Sequence, residues 1–515
     1  MTSGQHFFTN QAVLAVVGAG SMGMGIAQLA AQAGHRVKLF DVNKDKAQQA
    51  HKAIAENLNK ALTRGQINPE QYAEIRERVS VVDNLQALAD ADLIIEAILE
   101  QVEAKRTLFA ALEAIVKKDT VFASNTSSLS ITALAYGLQH PERVVGWHFF
   151  NPATRMRLVE IIPGVATDKK YLSSLHRLSE EWGKQPVLAP NTPGFIVNRV
   201  ARPYYAESLR LLAENIASVA TIDHIARECG GFAMGPFELM DLIGVDVNLS
   251  VTESVFSATA YDARYAPHIL QQELVRAGYW GKKTDKGFYT YHAGKKESVP
   301  IQFLEPIPIS KIYIEVAQDK GLLLPLIQRL QQTGITFSDN LQLPAQTLQF
   351  QTANGPILIA LSDGRTAAAC AEQYAMPVIL LDLAHDFASV SCLALTASEH
   401  AKTSLADLAF LLQTADIKLI MLADIAGMVV MRLVSCLINE AADLITWTRT
   451  QAKDIDLAMR LGTAYPYGPF TWADKLGPQR VINCLIQLQN HYGDMRYRCA
   501  PKLKELLFSK GKFYG

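Results

Sequence analysis

The feature that most restricts how this chain can fold is a phrase it carries twice. Residues 193–199 read PGFIVNR and residues 426–432 read AGMVVMR. Adding 233 to the position numbers aligns Gly194 with Gly427, Arg199 with Arg432, Glu207 with Glu440, Asp223 with Asp456, Gly235-Pro236 with Gly468-Pro469, Asp241 with Asp474 and Gly244 with Gly477. One offset, held without a gap over about fifty residues, marks an internal duplication of a whole helical domain. The copies differ at one telling position. Met431 stands where the first has Asn198, so an apolar thioether replaces an amide that could orient an oxygen.

The 515 residues around this repeat leave room for roughly three or four domains. AVLAVV at 12–17 is an apolar run of strand length, followed by GAGSMGMG, a helical IAQLAAQAG, and RVKLFDV, a strand running into Asp41. Strand, turn, helix, strand predicts a βαβ unit and a doubly wound parallel sheet. Further strands are expected at 92–98, 120–125 and 143–150. Helical patterns take over after about residue 190, and several prolines in 292–310 suggest a linker. From about 311 to 424 the runs PILIAL, PVILLDL and IKLIML alternate with helical stretches. This second α/β unit has no glycine-rich turn and reads as a degraded copy of the first.

Gly18, Gly20 and Gly23 follow a strand, open a helix and precede an acid at the next strand end. In that setting they permit the tight turn, the approach of a pyrophosphate and close helix packing, and the helix N-terminus supplies amides to the phosphates. Asp41 is placed to accept from the adenosine ribose hydroxyls and repels a 2′-phosphate, so NAD is expected rather than NADP.

Composition narrows the partners. Charged residues are 19% with net charge −1, which excludes a polybasic nucleic-acid footprint and points to a small-molecule partner. The six cysteines show no CxxC pair and no zinc spacing, so no metal is expected and the thiols read as idle in a reducing compartment. Residues 1–11, MTSGQHFFTNQ, lack leader character, and no apolar stretch reaches the roughly 20 residues needed to span a bilayer. A cytoplasmic location, away from membranes, is expected.

WHFFNPATRMRLVEIIPG, residues 147–164, is the second dense stretch. His148 alone could be a packed core histidine. Glu160, in a strand-like apolar run, needs a partner if buried, and an imidazolium is a natural one. The pair would orient the ring for general base work.

These residues resemble a known family. HFFNP and LVEII, SNTSSLSIT at 124–132, the glycine turn, and NTPGFIVNR at 191–199 together look like the L-3-hydroxyacyl-CoA dehydrogenase family across residues 12 to about 291. The tandem layout resembles bacterial members of phenylacetate breakdown, which implies 3-hydroxyadipyl-CoA as substrate. The alternatives are 3-hydroxybutyryl-CoA or general fatty-acid β-oxidation and, more remotely, a non-catalytic NAD sensor or structural protein. The resemblance implies that His148 takes the hydroxyl proton, Glu160 balances the histidine, and Ser127 and Asn198 hold the reacting oxygen or thioester. It implies NAD contacts at Glu100, Lys105, Ser127, Asn151 and Lys283, and CoA contacts near Asn57 and Arg64. Arg155 and Arg157 are candidates for a distal carboxylate.

The expected division is an α/β Rossmann-type NAD-binding domain at 1–190, an all-α substrate and dimerisation domain at 191–292, and a linker at 293–310. A degenerate Rossmann-like unit at 311–424 and the duplicate all-α domain at 425–515 follow. The second half is expected to be catalytically silent. Its helical copy is expected to pack on the first as an intrachain pseudo-dimer, with a homo-oligomer also possible.

Overall fold

The computed structural model describes residues 8–9, 11–309, 312–352 and 355–514. Most of the N-terminal stretch read above for a leader lies outside these residues, as do positions 310 and 311, where the linker was expected to end.

The first sheet has eight strands: β1 Val13–Val17, β2 Arg36–Phe40, β3 Val79–Val81, β4 Leu93–Glu96, β5 Val121–Ser124, β6 Val144–Phe149, β7 Leu158–Pro163 and β8 Gln185–Leu188. Their order is β3-β2-β1-β4-β5-β6-β7-β8, and every pair is parallel except β6 with β7. Successive residues Leu14, Ala15 and Val16 are all buried, so both faces of the sheet are covered, which is why its strands read as unbroken apolar runs. The strand order reverses beside β1, so the glycine turn stands at the switch point where doubly wound sheets take ligands. The link from β6 to β7, residues 150–157, is too short for a crossover, so those strands run antiparallel.

A hairpin, β9 Tyr291–His292 and β10 Lys295–Lys296, precedes the stretch expected as a linker. That stretch is tied down, with Leu304 N–H donating to Leu419 and Ile307 N–H to Ala406. The second sheet holds β11 Tyr313–Val316, β12 Phe337–Asp339, β13 Thr347–Thr352, β14 Gly355–Leu361, β15 Val378–Leu381, β16 Cys392–Ala397 and β17 Lys418–Met421. Its order is β12-β11-β13-β14-β15-β16-β17.

The last four strands repeat the pairing senses of β5 to β8: parallel, antiparallel, parallel. Leu158 pairs with Gln185 as Cys392 pairs with Lys418, and Val145 pairs with Pro163 as Ile379 pairs with Ala397. Extended through the bond from Asp382 N–H to the Ala394 carbonyl, this register sets Asp382 where β6 has His148, and Ala394 where β7 has Glu160.

The helical copies also match, with one instructive difference. The first copy breaks between helices Val197–Val200 and Arg202–Ala213, while the second runs unbroken over Val430–Trp447. Pro203 lacks the N–H that a continuing helix requires, and its counterpart is Cys436. Gly244 and Gly477 each end one helix and start the next at φ of +103° and +80°, which side chains disfavour.

The chain forms two compact units, Met1–Arg199 with Thr448–Thr463, and Val200–Trp447 with Ala464–Gly515. Helix Ala452–Thr463 of the second copy therefore belongs with the first sheet. A Cβ on its Gly462 would lie 2.9 Å from Leu158 of β7. In the second unit, helix Val219–Glu228 of the first copy ends at Cys229, whose Sγ lies 3.5 Å from that of Cys392 on β16. Among the described residues no helix is long and apolar enough to cross a membrane.

Candidate active site

Gly18 sits at φ +104°, and a Cβ there would lie 2.4 Å from the Ala97 carbonyl oxygen; one on Gly23 would lie 1.8 Å from that of Gly18. Gly20 differs, because a Cβ on it would meet nothing within 4 Å. It caps helix Ser21–Gln32, whose N-terminus has no side-chain cap and no acid in its first turn. The turn is thus open where a pyrophosphate would meet the positive end of the helix. Asp41 is locked to it: its Oδ2 accepts from Ala19 N–H at 2.8 Å and its Oδ1 from Asn43 N–H at 2.9 Å. These residues fit a dinucleotide with free ribose hydroxyls.

In the second half β14 stands at the register position of β5, so the helix that follows it corresponds to Ile131–Ala135 and not to Ser21–Gln32. Helix Ala367–Tyr374 follows β14, and Asp424 accepts from its Ala367 and Ala368 amides at 2.6 and 2.9 Å. Thr366 Oγ1 accepts from Ala369 N–H at 3.1 Å. Asp424 is the counterpart of Asn191, whose Oδ1 accepts from Ile131 N–H at 3.1 Å, so the same helix start is held in both halves.

At the ends of β4 and β5 a buried network holds the loop 124–128. Lys105, 1% exposed, meets Glu96 at 2.6 Å and Glu100 at 3.2 Å. Glu96 also accepts from Ser124 Oγ at 2.6 Å, and Glu100 from Thr126 Oγ1 at 2.6 Å and Ser127 N–H at 2.9 Å. Burial opposes ionisation of Glu100, but Lys105, Thr126 and Ser127 outweigh it and hold the carboxyl below its usual range.

His148 and Glu160 are direct cross-strand partners in β6 and β7. Nδ1 of the ring lies 2.7 Å from Glu160 Oε2, and both residues are buried. Glu160 Oε1 accepts from the Ile196 and Val197 amides at 3.0 and 3.1 Å, so the carboxylate also anchors the start of the first helical copy. With Nδ1–H committed to Glu160, the neutral ring carries its lone pair on Nε2. Asn198 Nδ2 donates to the Ser127 carbonyl at 3.3 Å, which brings these two expected residues together.

The other expected residues are less concentrated. Asn151 is exposed and precedes a cis Pro152; Arg155 and Arg157 are exposed on the same loop. Asn57 gives its amide to Gln28 at 3.4 Å, and Arg64 is exposed at the end of the same helix, Lys44–Thr63. Lys283 belongs to the other compact unit and pairs with Asp246 at 2.6 Å.

Sequence reasoning missed three positioning residues. Asn125 Oδ1 accepts from Phe149 N–H at 2.8 Å beside the histidine. Lys184 donates to the Ala153 and Met156 carbonyls at 2.6 and 2.8 Å, fastening the 151–157 loop, and burial lowers its pKa to about 8. Glu96 was legible as a lone charge inside the apolar LIIEAI run; Asn125 and Lys184 carry no such local signal.

Comparison with known proteins agrees with this geometry. Residues 13–192 match the 3-hydroxyacyl-CoA dehydrogenase NAD binding domain, and residues 194–291 and 427–514 both match its C-terminal domain. Residues 359–425 match a 3-hydroxybutyryl-CoA dehydrogenase reduced Rossmann-fold domain. The chain is 39% identical over 497 residues to 3-hydroxyadipyl-CoA dehydrogenase of Escherichia coli, covering 96% of this chain and 97% of that one. It is also 39% identical to 3-hydroxybutyryl-CoA dehydrogenase of Clostridioides difficile, over 54% of this chain and 99% of that one. The crystal structure of a 3-hydroxybutyryl-CoA dehydrogenase from Escherichia coli superposes with a TM-score of 0.87 at 38% identity, covering 98% of this chain and all of that one.

Proposed function

Because this chain belongs to the 3-hydroxyacyl-CoA dehydrogenase family, we propose that it oxidises an L-3-hydroxyacyl-CoA to the 3-oxoacyl-CoA with NAD, and that 3-hydroxyadipyl-CoA is its substrate in aromatic-compound breakdown. The observation that carries the reading is the buried His148–Glu160 pair at 2.7 Å in the same compact unit as an open glycine turn.

NAD, when bound, supplies the acceptor for the hydride that leaves the alcohol carbon. Gly18, Gly20, Gly23 and Asp41 would hold its pyrophosphate and ribose, with Glu100, Lys105, Ser127 and Asn151 as further contacts. His148 Nε2 takes the hydroxyl proton. Glu160 keeps the ring in the tautomer that can accept it, and balances the charge that forms. Asn198 and Ser127 orient the reacting oxygen. Asn57 and Arg64 are candidate CoA contacts. The cytoplasm is the proposed location.

We assign the second half a structural role. Asp382 and Ala394 stand at the register positions of His148 and Glu160 and Met431 at that of Asn198, and the sequence of residues 311–424 holds no GxGxxG turn. The helix of each copy packs against the sheet of the opposite half, at Gly462 with Leu158 and at Cys229 with Cys392, which supports an intrachain pseudo-dimer.

A second reading, 3-hydroxybutyryl-CoA as substrate, is favoured by the printed names of the Clostridioides difficile relative and the superposed Escherichia coli structure. Steady-state NADH formation from 3-hydroxybutyryl-, 3-hydroxyhexanoyl- and 3-hydroxyadipyl-CoA, with NAD and NADP compared, separates them. Highest kcat/KM on the adipyl chain with NAD is expected. Preference for the butyryl chain overturns the substrate, and no NADH from any chain overturns the activity.

A further inference from the structure

Cys229 and Cys392 are 163 positions apart, yet their sulfurs lie 3.5 Å from each other. Cys229 closes helix Val219–Glu228, and Cys392 opens β16. The Cys229 thiol also points at the Cys392 carbonyl, at 3.3 Å, and His224 Nε2 stands 3.8 Å from the Cys392 sulfur. Both cysteines are buried, while His224, one turn up the helix, is partly open to solvent. The turn carrying Cys229 is held in place from the same sheet: His385 N–H donates to the Cys229 carbonyl at 2.8 Å.

Packing alone does not call for two thiols here. The duplication presents the same junction again in the first unit, where Gly462 takes the place of Cys229 and Leu158 that of Cys392. There a glycine against a leucine does the structural work. The thiol pair with its histidine is an addition to one of two equivalent junctions.

We propose that Cys392, Cys229 and His224 form a peroxide-sensitive modification site, in which Cys392 is the attacking sulfur and Cys229 the resolving one. The adjacent Cys229 thiol, aided by His224, outweighs burial and lowers the Cys392 pKa, so the attacking sulfur is the one with thiolate character. Its thiolate attacks one oxygen of hydrogen peroxide; the S–O bond forms, the O–O bond breaks, and hydroxide leaves as water with a proton relayed at His224. The Cys229 sulfur then attacks the sulfenic sulfur; the S–S bond forms, the S–O bond breaks, and a second water leaves with the Cys229 proton. Two thiols lose two electrons, and the peroxide is reduced to two waters. The sulfurs need to close by about 1.5 Å to reach bonding distance. Among the described residues no group of three or more His, Cys, Asp or Glu side chains is arranged to hold a metal, so the cluster reads as redox chemistry and not as a metal site.

The test uses full-length protein exposed to substoichiometric hydrogen peroxide, then alkylated under denaturing conditions and mapped by mass spectrometry. The expected result is a peptide cross-linked through Cys229 and Cys392, reversed by dithiothreitol, with Cys370, Cys436 and Cys484 still alkylated, and a higher Tm for the oxidised form. Cys229→Ser should leave Cys392 trapped as a sulfenic acid that dimedone labels, and His224→Gln should slow disulfide formation several-fold. Oxidation confined to Cys499, the least buried thiol, with Cys229 and Cys392 both fully alkylated, overturns the proposal. So does a rate of cross-linking indifferent to His224.

Discussion

Tyr497 donates its phenolic hydrogen to Glu207 at 2.9 Å, and the matching pair runs the other way, Tyr265 to Glu440 at 2.5 Å. Each helical copy thus places a tyrosine on the other's buried glutamate, as a two-fold interface would. Arg432 adds to the first pair at 2.8 Å from Glu207 and 2.9 Å from Glu214. Burial works against the charge of Glu207, but Arg210, Arg432 and Tyr497 outweigh it. Removing Arg432 leaves a buried carboxylate undercompensated. Arg432→Leu should therefore cost about 3–5 kcal/mol, and Tyr497→Phe about 1–3 kcal/mol, in urea denaturation. Losses under half a kcal/mol for both would mean that the crossed pairs do not hold the copies together.

The pair proposed to be catalytic, His148 with Glu160, predicts two different failures. His148→Ala should lower kcat by roughly 10²–10⁴ with little change in NADH binding. In Glu160→Gln the amide oxygen can still accept from Ile196 and Val197, but the NH2 then faces Nδ1 and forces the other ring tautomer, with Nε2 protonated. That variant should fold and lose roughly 10²-fold or more in kcat. Glu160→Ala should instead also unfold more readily, because two buried amides lose their acceptor. Equal thermal stability of the two Glu160 variants would contradict this division of labour.

Cofactor stoichiometry follows from the glycine turn, which is open at Gly20 and has no GxGxxG counterpart in the sequence of residues 311–424. Titration followed by NADH fluorescence should saturate at one NADH per chain, and a second site would contradict the structural role proposed for the second half. Asp41→Ser should raise the ratio of NADP to NAD efficiency by about 10-fold or more, since it removes the carboxylate that repels a 2′-phosphate.

Asp382 gives the second half a pH signature. Burial raises its pKa to about 6 even though four amides, those of Leu383, Val429, Val430 and Met431, donate to its carboxylate. A carboxyl raised in the native state binds its proton more tightly there than in the unfolded chain. Its contribution is therefore complete at low pH and is lost as pH rises from about 4 through about 6. The stability of the wild type relative to Asp382→Asn should fall by on the order of 3 kcal/mol over that window and stay level above it. Parallel curves of urea midpoint against pH would rule this out.

Much of this protein was legible in one dimension. Glycine spacing, apolar runs and the 233-residue offset are local or periodic signals, and they marked the turn at Gly20, the strands of the first sheet other than the short β3 and β8, and the doubled helical domain. The pairing of His148 with Glu160 was inferred because a carboxylate in an apolar run needs a partner. Its second duty, receiving the Ile196 and Val197 amides, was not, since nothing in a sequence says which distant helix start a carboxylate will meet. The same holds for Asp382 and Asp424, which look like ordinary acids at strand ends until the register sets one opposite Ala394 and the chain folds the other over Ala367. Sequence by itself determined the elements and the chemistry they carry, because helix and strand periodicity and glycine's backbone freedom act within a few residues. Only the tertiary structure decided which tyrosine reaches which buried glutamate and which two sulfurs meet, because strand register and helix packing join residues more than a hundred positions apart.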